Sequence, residues 1–227
     1  MIIAIDGPAG SGKSALGELL AKHLGYLYFD TGVVYRTVTL IALGRGVSVH
    51  DEDGVAKLAS HLQISVVKPT VDDGRQYTVF ADGEDVTWQI FSREVDEKVS
   101  VVSAHPRVRQ VLLAQQRAIA RSGDVVMVGR DIGTVVAPEA DLKLYLDAPV
   151  EVRAQRRRDQ AIARGQEADY DRILANLKER DRIDSGREAA PLAVAEGAVL
   201  ISTDRLSLRQ ELELVCGLLD RRNEGRN

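Results

Sequence analysis

Residues 2–14 constrain this chain more than any other stretch. Ile2-Ile3-Ala4-Ile5 is a short apolar run that ends at Asp6. Gly7-Pro8-Ala9-Gly10-Ser11-Gly12-Lys13-Ser14 then satisfies G-x-x-x-x-G-K-[ST] at every fixed position. Beyond it Ala15, Leu16, Leu19, Leu20 and Leu24 recur at helical spacing. A buried strand, a glycine-rich turn and a helix follow one another directly. Glycines let the backbone curl round an anion, its N–H groups point inward, and the helix adds its positive end. Lys13 is placed to reach the β- and γ-phosphates of a nucleoside triphosphate, and Ser14 to offer a hydroxyl to Mg²⁺. A chance glycine-rich turn is the bland alternative, and the flanking strand and helix argue against it.

The rest of the chain alternates in the same manner. Tyr26–Asp30 reads as extended, Val33–Leu43 and Glu52–Leu62 as helices. Helix is expected again over Ser92–Ala104 and Arg107–Arg121. Val125–Val128 is a continuous apolar run, as central parallel strands are. Leu142–Asp147 and Ala198–Ser202 read as further strands, Val150–Arg164, Tyr170–Arg182 and Ser207–Arg221 as helices, and 223–227 as a frayed polar end. Between them, Ile64–Val67, Tyr77–Phe80 and Glu84–Val86 read as short strands around the turn signals Asp73-Gly74 and Asp82-Gly83. Tight turns do not belong to a βαβ repeat. The expectation is a three-layer α/β fold with a central parallel sheet and an inserted antiparallel β piece, about residues 63–91. Ligands should collect at the carboxyl ends of the strands, where Asp6, Asp30, Arg130, Asp131, Asp147 and Thr203 stand.

The chain of 227 residues carries a net charge of −4, which argues against nucleic acid as a partner. A single cysteine excludes an internal disulfide framework and a Cys-based zinc site. No apolar run is long enough for a membrane span, and the first strand begins at once without a leader, so a cytoplasmic protein is expected. The four histidines show no ligand spacing. Against this acidic background the arginines cluster: Arg36, Arg107 and Arg109, Arg130, Arg153 with Arg156–Arg158, and Arg180, Arg182 and Arg187. A guanidinium grips phosphate bidentately. Runs such as Arg153–Arg158 or Arg180–Arg187 read equally as solvated, ion-paired helix faces. Arg130 and Asp131, directly after a buried strand, are costly there unless used. A switch GTPase would need an Asn-Lys-x-Asp run, and there is none.

Taken together, these residues resemble the bacterial cytidylate kinases, within the P-loop nucleoside monophosphate kinases. Besides the loop at 7–14, the matching pieces are Asp30-Thr31-Gly32 with Tyr35-Arg36, Pro106-Arg107-Val108-Arg109, Gly129-Arg130-Asp131-Ile132-Gly133-Thr134, Leu146-Asp147-Ala148, Arg180–Arg187 and Ala190-Pro191-Leu192. The resemblance runs from Ile2 to about Leu218. It implies ATP-dependent phosphorylation of CMP and dCMP with Mg²⁺, by a monomeric single-domain enzyme over 1–227. That enzyme would have a monophosphate-binding insert over 38–97 and a short lid over 153–168. It implies that Gly7, Pro8, Ala9, Gly10, Ser11, Gly12, Lys13, Ser14 and Ala15 hold ATP, with Arg156–Arg158, chiefly Arg157, in the lid. Thr31, Arg36 and Arg109 would hold the acceptor phosphate, Ser100 and Arg130 the cytosine, and Asp131 and Asp184 the pentose. Arg180 and Arg187 would reach phosphates across the cleft. The catalytic set would be Lys13, Arg130, Asp131, Arg180 and Arg187. Ala15 stands where many such kinases have Thr, which removes one hydroxyl from that set.

Overall fold

The register of the central sheet places the functional ends of its strands side by side. In a computed structural model, which describes residues 1–163, 165–187 and 189–224, strands β1 (Ile2–Asp6), β2 (Leu27–Asp30), β6 (Val125–Val128), β7 (Leu142–Asp147) and β8 (Val199–Ser202) form one parallel sheet in the order β2-β6-β1-β7-β8. Ile5 and Asp30 both pair with Val128, and Asp6 pairs with Tyr145. Asp6, Asp30 and the loop after Val128 therefore emerge together. β6 is buried along its whole length, as its uninterrupted apolar run requires. The expected end of the basic helix at Arg164 and the polar stretch 225–227 lie outside the described residues.

Eight α-helices follow the expected positions: α1 (Lys13–Leu24), α2 (Gly32–Gly44), α3 (Glu52–His61), α4 (Arg93–Ala104), α5 (Pro106–Ala120), α6 (Val150–Ala163), α7 (Tyr170–Gly186) and α8 (Leu208–Glu224). Leu16, Leu20, Phe29, Met127 and Leu144 are all fully buried and centre the main core. A second, small cluster lies apart from it: Ala9, Ala154 and Leu177, from the glycine-rich loop, α6 and α7. Between α3 and α4, strands β3 (Ile64–Val67), β4 (Thr78–Ala81) and β5 (Glu84–Asp85) make an antiparallel sheet of their own. Arg75 ties its loops together by pairing with Asp73 at 2.7 Å and Asp85 at 2.5 Å. No described helix is long and apolar enough to cross a membrane.

Two elements differ from expectation. α7 continues one turn past Arg182, to Gly186. Tertiary partners hold this last turn at Asp184: its carboxylate accepts from Arg130 at 2.7 Å and its carbonyl from Leu192 N–H at 2.8 Å. The second difference follows β6, where residues Ile132–Val136 wind into a π-turn rather than a loop. The Asp6 carboxylate accepts from the first two amides of that turn, Ile132 at 2.8 Å and Gly133 at 2.7 Å.

Asp6 is 2% exposed, and burial pushes its pKa up to about 6 despite those two hydrogen bonds. An unfolded aspartate titrates near 3.9. Between the two values the folded chain binds more protons than the unfolded one, so this group makes stability fall as pH rises from about 4 to 6. Asp6→Asn should abolish that component, about 2–3 kcal/mol across the window. Urea unfolding midpoints for both proteins at pH 4, 5, 6 and 7 check it; parallel pH profiles would refute it.

Candidate active site

The loop between β1 and α1 is shaped by its glycines. Gly7 turns at φ 147° immediately after the strand, and a Cβ there would stand 2.0 Å from the Leu146 carbonyl oxygen, so no larger residue fits. Lys13 is 5% exposed. Its ammonium donates to the Pro8 carbonyl at 2.6 Å and to Ser11 Oγ at 3.3 Å. Burial first, and Arg130 second, hold its pKa well below that of an ordinary lysine. Gly12 caps α1 with no side chain, and no acidic residue stands in the first turn. The positive end of the helix is thus left for an anion.

This loop forms one wall of a cavity of about 260 Å³ at the carboxyl edge of the sheet. Seven cationic side chains line it: Lys13, Arg36, Arg109, Arg130, Arg157, Arg180 and Arg187. Only three carboxylates face them, Asp30, Asp131 and Asp184. Two of the three carboxylates fix positive groups in place. Asp131 pairs with Arg109 at 2.5 Å, and both are nearly buried. Asp184 lies between Arg130 at 2.7 Å and Arg187 at 3.7 Å. Asp30 accepts from the Gly32 amide at 2.9 Å and faces Ser14 Oγ at 3.5 Å. Arg109 also lies over the Tyr35 ring, 5.4 Å from its centre. Arg180 and Asp184 stand at i and i+4 on α7 and so share one face, and Arg187 follows directly after the helix, at its C-terminal cap.

Charge in this cavity is under-neutralised. Burial, with Arg130 and Arg157 nearby, lowers the pKa of Arg180. Arg187 is lowered by burial and by Arg109, and its Nε and Nη2 are buried without a hydrogen-bond partner among the described residues. A buried donor without an acceptor costs about 1–3 kcal/mol. A bound phosphate would supply the acceptor and the counter-charge.

A larger cleft of about 910 Å³ opens on the other side of the same loop. It is bounded by Gly12 and Ala15, by Arg156 and Gln160 of α6, and by Arg75, Tyr77 and Trp88 of the small sheet's region. Gly10, Lys13, Ser14, Arg36 and Arg157 border both spaces. Arg36 spans the junction, donating to the Ile90 carbonyl at 3.1 Å and pairing with Asp96 at 2.6 Å.

Of the residues singled out in the sequence, Ala9, Gly10, Lys13, Ser14, Thr31, Arg36, Ser100, Arg109, Arg130, Asp131, Arg157, Arg180, Asp184 and Arg187 line the smaller cavity. Gly12 and Ala15 face the larger cleft. Gly7, Pro8 and Ser11 line neither and serve as framework. Three contributors were given no role of their own from sequence. Asp6 braces the turn beside Arg130 and Asp131; a carboxylate ending a buried strand signals such a use. Tyr35 lines the cavity, and its place beside Arg36 was the available clue. Arg153 belongs to a run that reads as a solvated face, yet it is 5% exposed and donates to the Ala9 carbonyl at 2.9 Å. Helix periodicity alone does not reveal that.

A parallel sheet with a phosphate-binding loop at its centre, facing an arginine-lined cavity, defines a P-loop phosphotransferase. The family model described as cytidylate kinase matches residues 3–221, and the chain belongs to that family. A cytidylate kinase from Herpetosiphon aurantiacus is 49% identical over 217 residues, covering 96% of this chain and 93% of that one. Another from Chloroflexus aggregans is 49% identical over 213 residues, covering 94% and 91%. A solved structure of an uncharacterized protein from Eubacterium ventriosum shares the fold at a TM-score of 0.50 and 12% identity, over 97% of this chain and 98% of that one.

The under-neutralised cavity has a thermodynamic signature. Arg180→Leu removes a desolvated cation from among like charges and should raise the Tm of the nucleotide-free protein, by about 2–4 °C per kcal/mol relieved. Sulfate should stabilise the wild type more than the variant. Thermal melts with and without sulfate read both effects, and a lower Tm for the variant in buffer alone would refute the repulsion.

Proposed function

We propose that this kinase transfers the γ-phosphoryl group of ATP to a 5′-phosphate oxygen of CMP or dCMP, giving ADP and CDP or dCDP. The observation that carries this reading is the excess of seven cations over three carboxylates in a single cavity, in a chain whose net charge is −4. An excess of that size suits two polyanions brought face to face. A neutral hydroxyl acceptor would not need it.

Donor phosphates lie along the glycine-rich loop, on the amides that open α1, with Lys13 against the β- and γ-phosphates and Arg157 over them. The acceptor phosphate is held by Thr31, Arg36 and Arg109. Ser100 and Arg130 read the cytosine, and Asp131 and Asp184 hold the pentose. Lys13, Arg130, Arg180 and Arg187, with Asp131 ordering them, make up the catalytic set, which neutralises charge on the phosphoryl group as it passes. The acceptor is already an anion, so alignment and fixed positive charge replace a general base. In keeping with that, no described histidine lines the cavity.

Mg²⁺ fits the oxygen donors at the loop. Ser14 Oγ and Asp30 Oδ2 stand 3.5 Å apart beside Lys13, and Mg²⁺ takes few protein ligands together with phosphates and water. The ion, when bound, would neutralise the β- and γ-oxygens. Ser14 would hold it, with Asp30 orienting the hydroxyl.

Within a single domain over 1–227 we assign the segment 38–97 as the monophosphate-binding insert and 153–168 as a lid. Closed together over the substrates, they exclude the water that competes as acceptor. We assign the enzyme as a monomer. Its substrates are metabolites of the cytoplasm, where we place it.

Coupled ADP release with a panel of CMP, dCMP, UMP, AMP and GMP tests the reading. CMP and dCMP should be turned over best, and preference for a purine monophosphate would overturn it. Arg36→Ala should raise KM for CMP by about tenfold or more, the loss expected for one charged hydrogen bond, and leave KM for ATP little changed. Steady-state kinetics with each substrate varied separately checks this; equal changes in both would remove Arg36 from the acceptor site.

A further inference from the structure

We propose that Arg153 and Asp181 form a positioning pair that joins the donor loop to the acceptor helix, so that filling one substrate site favours filling the other. The proposal rests on the reading given above, with the donor on the glycine-rich loop and the acceptor against α7. Neither residue lines the smaller cavity. Their contribution is to what lies behind it.

Arg153 projects from α6 into the underside of the glycine-rich loop. Its Nη1 donates to the Ala9 carbonyl at 2.9 Å, and its Nε to the Ala148 carbonyl at 2.8 Å. The same guanidinium grips Asp181 of α7 with both terminal nitrogens, at 3.2 and 2.6 Å. One planar group thus holds the loop backbone, the end of β7 and α7 at once. The approach is close: a Cβ on Gly10, where φ is 79°, would lie 3.2 Å from Arg153 Cβ, a tight contact. Packing points the same way. Ala9 is buried with Ala154 of α6 and Leu177 of α7 in a cluster of its own, apart from the main core. Asp181 follows Arg180 directly and precedes Asp184 and Arg187 by less than two turns. Any shift of the loop on binding donor phosphates is therefore transmitted, through a bidentate ion pair and a shared apolar cluster, to the helix that presents Arg180 and Asp184 and ends at Arg187. A lysine at 153 has one point charge and cannot make these contacts together.

Isothermal titration of CMP, with and without a saturating non-hydrolysable ATP analogue and Mg²⁺, measures the coupling. The analogue should tighten CMP binding to the wild type by roughly fivefold or more, within the usual range for coupled sites. In Asp181→Asn the factor should fall toward one, while each nucleotide alone binds within about threefold of wild type, well below the cost of a lost direct contact; in Arg153→Lys, whose side chain also borders the larger cleft, the factor should fall likewise. Asp181→Asn keeps the side-chain shape and carries the test should Arg153→Lys fold poorly. A wild-type factor of one, or an undiminished factor in Asp181→Asn, overturns the proposal. A purely structural pair would lower Tm and leave the factor unchanged. Failure of the wild type to bind CMP at all would instead overturn the acceptor assignment itself.

Discussion

The cavity holds more positive charge than its own carboxylates neutralise, and much of the architecture answers that constraint. Desolvated guanidinium groups repel one another strongly when little water lies between them. Here they are kept near each other because they are attached to several rigid elements: Arg36 to α2, Arg109 to α5, Arg130 to the loop after β6, Arg157 to α6, Arg180 to α7 and Arg187 to its C-terminal cap. Asp131 and Asp184 do not cancel the charge. They fix the direction of Arg109, Arg130 and Arg187. What remains uncompensated is the attraction offered to phosphate. The nucleotide-free protein is therefore strained where function lies, in keeping with the general opposition between stability and activity at such sites.

The same constraint explains how a reaction between two anions can proceed without a base. Bringing one phosphate against another is opposed chiefly by electrostatics, and a preformed field of fixed cations reduces that barrier with little reorganisation at the moment of transfer. The field must also be dry to be strong. The two spaces that meet at Lys13, Ser14 and Arg36 are bounded by separate segments, the small sheet's region on one side and α6 on the other, which is the arrangement closure requires.

Much of this was legible in the chain itself. The strand, loop and helix at 2–24 announce themselves through a motif whose every position has a geometric reason, and the apolar run 125–128 could only be an interior strand. The antiparallel piece was visible because its turns are Asp-Gly pairs. Less was legible where tertiary partners override local preference. α7 runs a turn past its expected end, where Arg130 and Leu192 hold Asp184. The π-turn at 132–136 exists because a carboxylate from residue 6 takes two of its amides. Arg153 was hidden among exposed neighbours, since a run of arginines on one helix looks the same whether one of them points inward or none does. Residue type and spacing revealed which groups could bind phosphate; which of them form the support behind the site depends on distances across the fold.

The brace at Thr203 has a consequence for how the protein is made. Its hydroxyl donates to the carbonyl of Ser11 at 3.0 Å, a contact between residues 192 positions apart, and Arg156 holds Thr203 in turn at 3.0 Å. The glycine-rich loop leaves the ribosome 192 residues before the residue that steadies it. A nascent chain carries the whole motif long before it carries a finished site. Full support of the nucleotide loop therefore waits until synthesis has passed Thr203, and a chain cut short of that residue would keep an intact signature on an unsupported loop.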